Sequence, residues 1–132
     1  MEYKRKKGTY FRHLLNAPIL SFQLITAVFL DVSIELYHRT GFPLCGIPLV
    51  KRSSYIKFDR HKLKYLNWRN KIGCTYCGYA SGLLAYTSEI IARTETYWCG
   101  IKHQKTSDLI EPPYHKKFVE YGDEAAYRKK YL

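Results

Sequence analysis

The sequence predicts an all-α protein, and three observations carry that prediction. Residues 17–38 form a long apolar stretch with helical character, introduced by Pro18, which suits a first turn. Asp59 stands where an N-cap would start a short helix over residues 60–71, with Gly73 as its stop. Residues 74–98, "CTYCGYASGLLAYTSEIIARTETYW", carry the clearest helical pattern in the chain. The expected arrangement is one small helical domain over residues 1–103, with a polar tail over 104–132.

The first element raises the question of a membrane. The stretch from Ala17 to Tyr37 would extend roughly 30 Å as a helix, about the thickness of a bilayer core. At 100° per residue, Asn16, Gln23, Asp31, Glu35 and His38 fall within an arc of about 120°, and the rest is apolar nearly all round. Basic residues flank both ends, which a single span would leave on the wrong side of the membrane at one end. An interfacial or re-entrant helix, or one buried in a larger assembly, fits better than a simple span; a core helix of a soluble bundle is the plainer alternative. Asp31, Glu35 and Tyr37 follow the apolar run where a cleavage site would need small residues, so the segment is expected to be retained. The expected location is then reducing: the cytoplasm or the cytoplasmic side of a membrane.

Charge organises the remainder. The chain has 132 residues and a formal net charge of +11, which points to an anionic partner. Lys4, Arg5, Lys6, Lys7 and Arg12 crowd the start, whereas residues 13–38 hold no Lys or Arg. Residues 40–54 read as a loop around Cys45, with two Gly and two Pro. Residues 51–71 then interleave Lys51, Arg52, Lys57, Arg60, Lys62, Lys64, Arg69 and Lys71 with Tyr55, Phe58, Tyr65 and Trp68. Bases with aromatics seat a protein at an anionic lipid surface or bind single-stranded nucleic acid. A solvated charge run around a small core is the plainer reading. Lys51, Arg52, Lys57, Arg60, Lys62, Lys64, Trp68, Arg69 and Lys71 are the candidate anionic-partner surface.

Candidate metal chemistry rests on four cysteines. Cys74 and Cys77 form a C-x-x-C at a helix start, where two thiolates converge and the helix N-terminus favours their charge. Cys74, Cys77, Cys99 and His103 together give C-x2-C-x21-C-x3-H, which resembles the ligand spacing of zinc sites of three cysteines and one histidine, with Cys45 as a further candidate. An iron–sulfur cluster is the alternative cofactor, with electron transfer as its job. The objection is geometric: an unbroken helix over residues 76–96 would carry Cys99 roughly 30 Å from Cys77. Either the helix breaks near Ser81-Gly82, or Cys99 belongs to another site, and Cys74 and Cys77 recruit Cys45, His61 or a partner chain.

Three further patterns are weaker. Gly78 and Gly82 form G-x-x-x-G, continued by Ala85 and Ala92, a face that lets another backbone come close. Glu89 and Arg93 are spaced as an i,i+4 ion pair. Glu35-x-x-His38 is half of a carboxylate di-metal signature, but neither Glu89 nor Glu95 has the matching His. The plainer reading sets His38 near a helix C-terminus, favoured by the dipole. No nucleophile motif, phosphate-cradling glycine loop, H-E-x-x-H or G-x-G-x-x-G is present, and no small-molecule substrate suggests itself. The expected protein is a small basic metal-binding accessory subunit of a membrane or membrane complex, not an enzyme. A nucleic-acid-binding zinc module and a C-x-x-C thiol–disulfide oxidoreductase are the alternatives.

Overall fold

The structure, a computed structural model, describes residues 9–132; Lys4, Arg5, Lys6 and Lys7 of the basic N-terminal block lie outside the described residues. Among the described residues the protein is all-α, with three helices and no sheet: α1 (Thr9–Cys45), α2 (Trp68–Trp98) and α3 (Glu124–Tyr131). Short 3₁₀ turns stand at Arg52–Ser54, Arg60–Lys62 and Pro113–Lys117.

α1 is longer at both ends than the sequence suggests. A proline inside a helix costs about 3 kcal/mol, so Pro18 reads as a start. The helix nevertheless runs through both Pro18 and Pro43. Its 37 residues extend about 55 Å. Gly46 is the true stop, at φ +68. The amide of Gly46 donates to the Pro43 carbonyl at 3.2 Å and that of Ile47 to the Phe42 carbonyl at 2.9 Å, closing a Schellman motif. Residues 40–45, expected as loop, are therefore helix, and Cys45 is its last residue.

The segment after Gly46 doubles back along α1. Val50 meets His38, and Arg52 meets Asp31 and Glu35. The helix expected over residues 60–71 does not form: Asp59 makes no side-chain cap, and only one 3₁₀ turn follows it. α2 instead starts at Trp68 and continues through Gly73. A helical glycine costs only about 1 kcal/mol relative to alanine, too little to end a helix whose later turns are packed.

That packing uses the small-residue face. A Cβ on Gly82 would lie 2.6 Å from the Tyr55 carbonyl oxygen and 3.0 Å from the Ile56 Cα. One on Gly78 would meet only the Lys57 carbonyl oxygen, at 3.5 Å. The close backbone that Gly78 and Gly82 admit thus belongs to the returning segment. Phe42, Val50, Ile56, Leu83 and Tyr86 are buried hydrophobic residues of this part of the chain, and His38 is buried with them.

The chain forms two compact units, Met1–Tyr86 and Thr87–Leu132, so the division falls inside α2. In the second unit, Gly100 follows α2 at φ +63, and its amide donates to the Glu95 carbonyl at 2.8 Å. An isolated parallel bridge pairs Ile101 with Val119. Asp123 caps α3 by accepting from the Ala126 amide at 2.9 Å, so the tail after Gly122 holds a short helix. His115, Phe118 and Val119 are buried here.

Candidate functional site

Asp31, Glu35 and His38 lie four and three residues apart, so one face of α1 presents all three. The returning segment contributes Arg52, and α2 contributes Tyr79 and Tyr86, seven residues apart and hence on one of its faces. Arg52 grips Asp31 with both terminal nitrogens, Nη2 to Oδ2 at 2.7 Å, and reaches Glu35 Oε2 from Nη1 at 3.0 Å. Tyr79 donates its hydroxyl to Asp31 Oδ2 at 2.6 Å. Tyr86 donates to Glu35, with Oε1 at 3.1 Å and Oε2 at 3.3 Å.

His38 closes the network, and its tautomer follows from its neighbours. The Val50 amide donates to Nε2 at 2.9 Å, so Nε2 carries the lone pair and Nδ1 the hydrogen. Nδ1 lies 3.0 Å from the Tyr86 hydroxyl oxygen and 3.4 Å from Glu35 Oε1. The donors therefore run in one direction, from Val50 to His38 to Tyr86 to Glu35. His38 is 3% exposed and sits mid-helix, seven residues before the end of α1, so the helix dipole is not what favours it.

The electrostatics match this geometry. Hydrogen bonds from Arg52 hold the Asp31 carboxyl below its ordinary value against the cost of burial, and Tyr79 adds to the effect. Burial works against the Glu35 charge, but hydrogen bonds from His38, Tyr86 and Arg52 outweigh it and lower this carboxyl too. Burial, together with the carboxylate each one faces, pushes the Tyr79 and Tyr86 hydroxyls up to about 12. Two carboxylates are satisfied by the Arg52 guanidinium, two phenols and a histidine, with the exposed Arg39 adding an i,i+4 contact from Nε to Glu35 Oε1 at 3.2 Å, and the arrangement ties three chain segments together. As a di-metal half-site, Glu35 and His38 are already engaged with protein donors. Among the described residues no three His, Cys, Asp or Glu side chains gather as a metal site.

The cysteines are dispersed, and all four are free thiols. Cys74 and Cys77 occupy the early turns of α2 as expected, the first half-buried and the second exposed. Cys45 ends α1, and Cys99 follows the last residue of α2. α2 runs unbroken through Ser81-Gly82. In the second unit the His103 ring lies 5.9 Å from that of His115. His115 Nε2 faces Glu95 Oε2 at 3.2 Å, and Tyr114 donates to the same oxygen at 2.8 Å.

Of the candidate anionic-partner residues, Lys51, Lys57, Arg60, Lys62, Lys64, Trp68 and Arg69 are exposed and Lys71 is half-buried. Arg52 is different, because its guanidinium is committed to Asp31 and Glu35. Arg69 lies over the rings of Trp68 and Tyr10, at 5.4 and 5.9 Å. Sequence reasoning missed Arg52, Tyr79 and Tyr86 as a group. One signal was available: Asp31 and Glu35 are the sole acids of residues 13–58, on an otherwise apolar helix, and so required a nearby base.

No family model matches this chain, and neither a curated protein nor a solved structure matches it. The small all-helical fold with one apolar helix and the clamped carboxylates are the features on which a function must be argued.

Proposed function

We propose that this protein is a small basic accessory protein that lies on a membrane surface, with α1 embedded lengthwise and the bases of residues 51–71 other than Arg52 against anionic headgroups. The observation that carries the reading is the state of α1. It is long and apolar enough to cross a bilayer, and none of its most apolar 18-residue window is buried. Ile19, Phe22 and Phe29 are 65%, 69% and 77% exposed. A contiguous apolar surface of that extent marks an interaction site with a membrane or a protein partner.

Lying on the surface is supported over spanning it. Arg69 sits over Tyr10, near the start of α1, so the basic entry to α2 accompanies the apolar half of α1. The returning segment is non-helical apart from two single 3₁₀ turns, and irregular backbone is not tolerated facing hydrocarbon. A transverse α1 would draw both into the bilayer core. At an interface, Trp68 and Tyr65 would sit at headgroup depth and the lysines would meet phosphates. Cell fractionation with an alkaline wash tests the reading. Recovery in the membrane pellet is expected, and full recovery as soluble protein without detergent would refute it.

A second reading concerns metal. Cys74 and Cys77, three residues apart on α2, offer half of a tetrahedral thiolate set, as in zinc or all-cysteine iron–sulfur sites. This chain does not complete such a set among its described residues, so the reading requires ligands from a partner chain. Metal content by mass spectrometry and an absorption spectrum, on protein purified without oxygen, test it. Zinc without a chromophore would mean a structural site, iron with sulfide would mean electron transfer, and metal-free protein would end it.

A further inference from the structure

A groove of about 420 Å³ opens between α1 and the first turns of α2. Leu24, Ile72 and Tyr76 line it with Phe58, and His61 and Lys71 supply its basic groups. We propose that this groove holds one anionic phospholipid, with an acyl chain along Leu24, Ile72 and Tyr76 and the phosphate between His61 and Lys71. The inference rests on the membrane-surface reading and names the lipid that this surface selects.

Three observations support that occupant. The groove has the size of a small-molecule site, within the usual range of roughly 300–1,000 Å³. It lies on the uncovered part of α1, where Ile25 is 68% exposed, so a lipid chain enters it from the bilayer without crossing water. None of the ion pairs among the described residues uses His61 or Lys71, and Lys71 is half-buried beside apolar side chains. An ammonium in that position gains from an anion that arrives with its own apolar tail. A phospholipid of net negative charge carries both in one molecule, whereas a nucleic acid carries phosphates without a chain to fill the groove.

Native mass spectrometry of the full chain in detergent, titrated with phosphatidylglycerol, tests this, alongside flotation on vesicles of phosphatidylcholine with and without phosphatidylglycerol. The expected result is one phosphatidylglycerol per chain at near-stoichiometric lipid and at least about a tenfold weaker adduct in the double variant His61→Ala/Lys71→Ala. Lys64→Ala, which removes a charge away from the groove, should cost no more than the roughly fivefold of a generic surface base. Equal loss in Lys64→Ala, retention in the double variant, or an equal adduct with glycerol phosphate would overturn the proposal while vesicle flotation still upheld the membrane reading. Failure of the native chain to float on either vesicle would overturn both.

Discussion

Arg52 and Asp31 are joined by a two-pronged bond, with both terminal nitrogens of the guanidinium on the two carboxylate oxygens. They stand 21 residues apart, one on the returning segment and one on α1. Glu35 shares the same guanidinium, so Arg52 is the residue that neutralises both acids of the apolar helix.

Removing Arg52 should therefore cost more than an ordinary surface arginine. Arg52→Ala leaves Asp31 without its cation and Glu35 with only the exposed Arg39, on adjacent turns facing each other. A fully buried pair broken in this way costs about 3–5 kcal/mol. Arg52 is 35% exposed, so solvent screening reduces the expected loss to about 2 kcal/mol. Arg52→Lys should recover part of it, since an ammonium supplies charge but not the planar fork. Denaturant unfolding in mild detergent measures both. An Arg52→Ala protein as stable as the parent would show that the clamp contributes nothing.

The same clamp sets an acid limit on stability. The Asp31 and Glu35 carboxyls titrate below their ordinary values of 3.8 and 4.5 in the folded protein. A carboxyl lowered by folding contributes its full stabilisation above the unfolded value and loses it as pH falls through the folded value. Stability should thus hold from neutral pH down to about 5 and decline below it. In Asp31→Asn/Glu35→Gln the decline should be shallower, because the groups that release protons on folding are gone. A thermal-unfolding series across pH 3–7 checks this, and identical slopes in both proteins would contradict it.

How much of this was legible beforehand follows from what sets each feature. The helices were readable because an apolar run or a small-residue pattern persists over many turns, and the i,i+4 pair of Glu89 and Arg93 forms as spaced, at 2.9 Å. Their ends were not. Gly73 is a weak stop when the later turns of α2 are packed, α1 runs on through Pro18, and Gly46 acts as a stop through a positive φ that the sequence does not display. The clamp stayed hidden because its bonded partners from different segments are 17 to 51 residues apart, and nothing local tells Arg52 from Lys51 or Lys57. Asp31, Glu35 and His38 were recognised as one face, yet what they meet depends on the path of the returning segment. The Cys74–Cys77 spacing was plain, and the completion of a site around it is not encoded locally.

Gly82 and Gly78 offer a paired test of how the returning segment is seated. A Cβ at Gly82 would sit 2.6 Å from a backbone oxygen, which cannot swing aside as a side chain could. At Gly78 the nearest atom is 3.5 Å away, an ordinary contact. Gly82→Ala should destabilise by about 1–3 kcal/mol, as overpacking does. Gly78→Ala should be neutral or stabilising by up to about 1 kcal/mol, since alanine is the better helix former. Equal effects at the two positions would mean that Tyr55 and Ile56 do not approach α2 this closely.

His38 provides the last test, because its role is separable from charge. Its Nε2 is the acceptor for the Val50 amide, and both groups are buried. His38→Phe keeps a ring beside Phe42, whose centroid lies 4.9 Å away, but leaves the Val50 amide without a partner. A buried donor left unsatisfied costs about 1–3 kcal/mol. Amide hydrogen exchange at Val50 should accelerate in His38→Phe by more than at Phe42, whose own amide lies within the α1 ladder. His38→Gln, with a side-chain carbonyl able to accept, should restore part of the protection. If exchange at Val50 is unchanged in His38→Phe, the imidazole is not what fixes the turn back along α1, and packing of Val50 alone must do so.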